Sequence, residues 1–328
     1  MESIRRLSLF EPGTTRDQFV ETIREVIVND TIITVTEQML DELFEKFDQV
    51  KDDNTFFLKD CDGELNEVEC EYVNHLLIEP LNQLKTALIV VDFQNDFITG
   101  SLAIKNGTAQ EDPSEALIPI NRLISECPFA LIVYTMDWHP YNHISFWEHC
   151  RNSDRKLCVE DRIRKLKPFD IVRFETPDVE QKLYPAHCIQ NSWGADLDAQ
   201  MIQAKNSVFI QKGKDTYADS YSAFKDNNKD QSTELEEVLR SESIDAIFVC
   251  GLAYDVCVAA TTNDSVELGF LTALITDCSK GLDLDEMKRV NDELSNKNVA
   301  ILNSESVLRI VSDKFIPWQW ISSLAGLM

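Results

Sequence analysis

The chain of 328 residues is poor in positive charge and in long apolar runs, and each shortage excludes something. Its 31 Lys and Arg face 57 Asp and Glu, a formal net charge of −26. A field of that sign repels phosphate backbones and anionic lipid, which argues against nucleic acid or a membrane surface as partner. No stretch approaches the roughly 18 uninterrupted apolar residues of a bilayer span. Residues 1–10 hold no apolar run of export-signal length before Glu11-Pro12-Gly13. The nine cysteines are odd in number and scattered, so a soluble, cytoplasmic, reducing setting with free thiols is the expectation. What is plentiful is apolar side chain: 44% hydrophobic residues can build a sizeable core and exclude wholesale disorder.

Two regions differ in pattern. Residues 1–85 hold 20 acidic and 8 basic side chains, nearly half of the net charge in a quarter of the length. Phe19, Val20, Ile23, Val26 and Ile27 share one helical face. A β-branched stretch follows at 31–35, where Ile33 or Val35 offers a short β contact. Thr36 can cap a second helix with Met39, Leu40, Leu43, Phe44 and Phe47 as its stripe. A further amphipathic run covers 67–78, and Pro80 marks a boundary. The spacing therefore predicts a helical domain over 1–82 and a second domain over 83–328.

From Thr86 onward, short apolar β-branched runs at 87–91, 130–135, 207–211, 246–250, 271–276 and 299–302 alternate with helical patterns. Those patterns lie at 114–126, 195–204, 233–242, 256–268 and 284–296. This alternation implies an α/β fold, a doubly wound and mostly parallel six-stranded sheet with helices on both faces. The segment 140–190 reads as long loops over one sheet edge. Ligands of such sheets bind beyond the carboxyl ends of the strands, which directs attention to Asp92, Asp137, Lys212 and Cys257.

Asp137 and His139, two apart on an extended segment, point to one side as metal ligands must. Four of the five histidines (His139, His143, His149, His187) fall between 139 and 187, and His187, on a loop that could fold back, is a third candidate ligand. One Asp and two His suit Zn²⁺, Fe²⁺ or Mn²⁺. Cys257 opens a predicted helix, where the positive helix end favours thiolate and backbone N–H groups face an oxyanion. A carboxylate such as Asp92 and an ammonium such as Lys212 beside that thiol make a nucleophilic site. A weaker motif is the acidic loop 58–69. Asp60, Asp62, Glu64, Asn66 and Glu69 fit positions of a calcium-binding EF-hand loop, but Leu58 stands where the first Asp belongs. Calcium binding and a calcium-free helix pair of similar shape both remain open.

These residues carry a resemblance. From about Thr86 to Val311 the chain resembles the nicotinamidases of the isochorismatase-like cysteine hydrolase superfamily. It does so through Val91-Asp92-x-Gln94-Asn95-Asp96-Phe97, Asp137-Trp138-His139-Pro140-x-x-His143-x-Ser145-Phe146 and Pro185-x-His187-Cys188 with Trp193-Gly194. Lys212-Gly213, Tyr221-Ser222-Ala223-Phe224 and Gly251 to Cys257 complete it. The acidic N-terminal region is similar to the EF-hand-like extension of some animal nicotinamidases. The resemblance implies hydrolysis of nicotinamide to nicotinate and ammonia through a cysteine thioester, with Asp92, Lys212 and Cys257 as triad. It implies a divalent metal on Asp137, His139 and His187, zinc ahead of iron or manganese, holding the pyridine nitrogen. It further implies an oxyanion hole from the N–H groups of Ala253 and Cys257, a cis Leu252–Ala253 peptide, and a ring clamp of Phe97 and Tyr184. His143 and Glu148 lie near positions that hold metal in some relatives. The alternatives are another amidase of the superfamily, acting on a carbamoyl, ureido or pyrazinamide-type substrate, and a calcium-responsive binding protein with an inert hydrolase fold. A homo-oligomer is compatible with all three.

Overall fold

A computed structural model describes residues 7–28, 30–48, 62–205 and 207–327. Near the N-terminus, β1 (Thr14–Thr15) leads into a helix Arg16–Val26 that buries Phe19, Val20, Ile23 and Val26. After β2 (Ile27–Val28), Thr36 caps the helix Glu37–Phe47 by accepting the Met39 N–H. The expected β contact through Ile33 or Val35 does not form. Instead β1 pairs antiparallel with β3 (Glu64–Leu65). Residues 31–35 are not a strand because Asp30 bends the chain, its Oδ1 accepting the N–H groups of Ile32 and Ile33. The helical run that begins at Glu67 continues through a π-turn, Asn74–Ile78, and past Pro80 to Gln83. Proline is tolerated there because it sits in the first turn of the last helical segment, Glu79–Gln83.

The large sheet is built from β4 (Thr86–Val91), β5 (Leu131–Asp137), β9 (Ser207–Lys212), β10 (Ala246–Leu252), β11 (Leu271–Lys280) and β12 (Ala300–Leu302). All five pairings are parallel, in the order β12-β11-β10-β4-β5-β9. Every residue of β4 and β10 is buried, as strands covered on both faces require. The strand order reverses between β4 and β10, and the crevice at that reversal is where open α/β sheets take ligands. Gly251 makes the reversal possible. Its φ is +118°, and a Cβ there would stand 2.1 Å from the Val91 carbonyl oxygen, so only glycine lets β10 lie this close to β4.

Two further expectations fail. Residues 195–204 form no helix, because side chains of neighbouring elements hold their backbone. Asn121 binds Gln200 and Ile202, and the Tyr134 hydroxyl binds Ile202 and Ala204. The region 140–190 is not all loop, since β6 (Lys156–Leu157), β7 (Ile171–Thr176) and β8 (Asp178–Lys182) form an antiparallel sheet. Its core is small (Ile144, Leu157, Val172, Phe174 and Leu183 among others), and β8 buries only Gln181, so that strand carries little apolar signal.

The N-terminal region and the large sheet share one apolar core, running from Phe19 and Phe44 through Leu77 to Trp320 and Phe248. β2 pairs with β13 (Ile316–Pro317), and Thr31 donates to the Ile301 carbonyl at the outer edge of β12. Asp30 Oδ2 accepts from Ile301 N–H and Gln319 Nε2. The eight described cysteines are free thiols. Among the described residues no helix is long and apolar enough to cross a membrane. Because Asp30 satisfies four donors, Asp30→Ala is expected to lower unfolding free energy by about 2 kcal/mol, read from urea denaturation.

Candidate active site

The parallel register of the sheet assembles the site. Asp137 lies opposite Lys212 at the carboxyl ends of β5 and β9, and Asp92 follows β4 beside them. Asp92 takes φ +45°. Its N–H donates to Thr135 Oγ1 at 3.2 Å, and that hydroxyl donates back to Asp92 Oδ1 at 2.6 Å. The Lys212 ammonium, fully buried, stands 2.9 Å from Asp92 Oδ2, 2.5 Å from Asp137 Oδ1 and 2.8 Å from the Ser220 carbonyl oxygen. Cys257 Sγ is 3.5 Å from the same nitrogen. One oxygen of Asp92, one of Asp137 and this sulfur lie within 4.8 Å of one another. The three residues expected to act together on a thiol are thus in contact.

Burial pushes the Asp92 carboxyl up to about 6 against the pull of Lys212. Burial opposes charge at Asp137 too, but Lys212 and the His139 and His187 rings outweigh it and hold that carboxyl well below the usual range. For Lys212, burial is overcome by the two carboxylates, and the ammonium persists. Burial, reinforced by Asp92, Asp137 and Asp219, drives Cys257 well above its usual range although Lys212 pulls downward.

Asp137, His139 and His187 bring one ligand atom each within 4.8 Å of the others. Nε2 of His139 is 3.5 Å from Asp137 Oδ2, and Nε2 of His187 is 3.8 Å from it. The opposite nitrogens face carbonyl oxygens, His139 Nδ1 at 2.9 Å from Gly213 and His187 Nδ1 at 2.8 Å from Pro185. A carbonyl only accepts, so in the neutral rings Nδ1 carries the proton and both Nε2 lone pairs point inward. His139 Nε2 is buried with no hydrogen-bond partner. The donor set fits a divalent ion. Gln94 locks it, accepting the Asp137 N–H and donating to the Asp137 carbonyl. His143 stacks on His139 with both its nitrogens engaged, by Ser145 and the Ala218 carbonyl, and Glu148 lies against Ala186 N–H.

A cavity opens over Cys257, lined by Phe97, Tyr184, His187, Asp219, Tyr221, Ala253, Val256 and apolar side chains that include Leu102 and Leu282. Phe97 and Tyr184 approach His187 from two directions, with ring centroids at 5.5 and 5.8 Å. The Leu252–Ala253 peptide is cis, as the resemblance implies. The turn Tyr254–Val258 that carries Cys257 starts at Ala253, which stands at its N-cap. Sequence reasoning missed Thr135, Asp219 and the Tyr221 hydroxyl, 3.3 Å from that of Tyr184. Thr135 shares the inward face of β5 with Asp137 two residues on, a signal that was readable; Asp219 has none. A larger groove, lined by Leu84, Arg240, Phe270 and Lys297, lies at the amino ends of the strands, away from all these groups.

The acidic loop lies elsewhere. Asp60 is outside the described residues. Asp62 accepts the Glu64 N–H, while Asn66 and Glu69 form the capping box of the helix Glu67–Val73, each accepting a backbone N–H of the other. Asn66 and Glu69 therefore serve the helix end, a use the EF-hand reading did not include.

Sequence comparison adds to this geometry. The Isochorismatase domain family matches residues 86–306. The chain is 35% identical over 201 residues to the nicotinamidase of Escherichia coli, covering 60% of this chain and 84% of that protein. The structure of a nicotinamidase and pyrazinamidase from Acinetobacter baumanii superposes with a TM-score of 0.59 at 32% identity, covering 68% of this chain and 98% of that one. A Pyrococcus horikoshii pyrazinamidase solved in complex with zinc gives 0.51 at 28% identity, covering 67% and 99%. The position of His139 in this donor set depends on Gly213, where φ is +63° and a Cβ would fall 2.4 Å from His139 Cε1. Gly213→Ala is expected to weaken metal affinity by about 10- to 100-fold, measured by competition with a chromogenic chelator.

Proposed function

Because this chain belongs to the Isochorismatase domain family, we propose that it is a nicotinamidase, hydrolysing nicotinamide to nicotinate and ammonia. The observation that carries the reading is the contact of Asp92, Lys212 and Cys257 beside the converging donors of Asp137, His139 and His187. Asp137, His139 and His187 would hold a divalent ion, zinc, iron or manganese by their donor types, and it would supply a Lewis acid for a pyridine nitrogen. Phe97 and Tyr184 flank the flat ring and turn its amide carbon toward Cys257.

The buried thiol cannot ionise unaided, so Asp92 takes its proton as sulfur attacks the carbonyl carbon. Lys212 keeps the charge balanced while the proton is in transit. The oxyanion that develops is received by the N–H groups of Ala253 and Cys257. Asp92 then returns the proton to the leaving nitrogen, because amide ion cannot depart, and ammonia leaves a thioester. Water attacks the thioester with Asp92 as base, the C–S bond breaks, and the sulfur recovers its proton as nicotinate forms. Every proton passes through one carboxyl, whose raised affinity suits both directions.

The direct test is ammonia release from nicotinamide by the purified chain. Release is expected, lost on chelation and restored by zinc; a zinc-loaded protein that released none would refute the reading. Cys257→Ala is expected to lower kcat by about 10⁴-fold or more while metal content stays at the parental value. For pH, the active form carries Asp92 ionised and Cys257 protonated. The kcat/KM should therefore fall about tenfold per unit below a pH of about 6 and stay level above it to the alkaline side. An acid limb that persisted unchanged in Asp92→Asn would exclude that carboxyl as its source.

A further inference from the structure

Asp96 belongs to the motif that runs from Asp92 to Phe97, yet the reaction above gives it no part. It lies in the short helix Asn95–Ile98, which also carries Phe97. Both oxygens of its half-buried carboxylate accept backbone donors: Oδ2 takes the Cys188 N–H at 2.7 Å, and Oδ1 takes the Ser101 N–H at 3.0 Å. Cys188 directly follows His187, and its own carbonyl accepts the His139 N–H at 3.0 Å. This one residue therefore links two of the three converging donors, and Asp96 holds its N–H. His187 itself lies on irregular backbone, outside any helix or strand that would fix its direction. Cys188 takes φ +46°, an unfavourable conformation for a residue with a side chain, which persists only where the surroundings impose it. A charge-assisted hydrogen bond from a carboxylate is such an imposition. Room for that carboxylate comes from two glycines: a Cβ would stand 1.9 Å from Oδ2 at Gly194 and 2.2 Å from Oδ1 at Gly100. Asn95 ties down the same segment, its Nδ2 donating to the Trp193 carbonyl at 2.8 Å and its N–H to the Asp196 carbonyl at 3.0 Å.

We propose that Asp96 is a positioning residue that sets His187 for metal binding through the Cys188 backbone. The inference rests on the metal site of the nicotinamidase reading. Phe97 follows Asp96 in the same short helix, and its ring centre lies 5.5 Å from that of His187. One helix thus fixes a wall of the cavity and a metal donor relative to each other. Removing the carboxylate frees the Cys188 N–H, lets the unfavourable φ relax, and takes the His187 imidazole out of the donor set.

The test uses the full-length chain. Zinc affinity is measured by competition with a chromogenic chelator, and the visible absorption spectrum of the protein loaded with Co²⁺ instead reports the ligand set. Asp96→Ala is expected to weaken zinc by about 10- to 100-fold and to change the cobalt spectrum. Gly194→Ala keeps the carboxylate but drives a methyl group into it, and is expected to act in the same direction, so that the test survives if one variant does not fold. Urea denaturation of the metal-free proteins isolates a role confined to the fold, which would lower unfolding free energy and leave affinity and spectrum at their parental values. Zinc affinity within about twofold of the parental value, or a parental cobalt spectrum, in the folded variants would overturn the proposal while leaving the metal site standing. Failure of the parental chain to bind zinc or cobalt would overturn the metal site itself, and the role of Asp96 with it.

Discussion

A single ammonium group holds the site together. Lys212 stands in the interior with Asp92, Asp137, the Ser220 carbonyl and the Cys257 sulfur around it, all within 3.5 Å of its nitrogen. An ion taken fully out of water is costly unless opposite charge and hydrogen bonds replace the lost hydration. Here two carboxylates and a carbonyl supply that replacement. Without the lysine, Asp92 and Asp137 would be two like charges in a medium that cannot screen them. The cluster is therefore all or none, and each member explains the tolerance of the others.

That cluster also sets the chemistry available to the thiol. Cys257 lies deep enough that burial outweighs the attraction of the lysine and raises its proton affinity. The same burial lifts Asp92 toward neutrality. One low-dielectric environment thus moves a carboxyl and a thiol in the direction that makes proton exchange between them feasible. Asp137, differing by its two imidazoles, stays ionised and is committed to them.

The rest of the fold holds these groups in register. Gly251 lets β10 approach β4 at the strand reversal, and the alignment of Asp137 with Lys212 follows from the parallel pairing of β5 and β9. At the opposite edge, Asp30 and Thr31 bind the Ile301 backbone, so the N-terminal region covers a strand edge that would otherwise offer unpaired N–H and C=O groups. Its apolar side chains merge with those beneath the sheet. The acidic region is part of the same packed body as the hydrolase sheet.

Sequence alone was sufficient wherever the cause was local. The six strands were legible because β-branched runs at each site have no other stable use, and strand ends located Asp92, Asp137, Lys212 and Cys257. The spacing of Asp137 and His139 showed two ligands, since alternate residues of a strand share a face. What required tertiary structure was every effect arising between segments far apart in the chain. The proton affinity of Cys257 depends on burial summed over its surroundings, which a helix-start rule does not contain. Asp219 has no neighbour in sequence that marks it, yet the loop after β9 carries it into the cavity wall. Residues 195–204 have helical composition but are held otherwise by Asn121 and Tyr134. Local pattern determined the elements and the chemical types at their ends; solvation, charge balance and long-range hydrogen bonding, which no window of sequence contains, decided their protonation and partners.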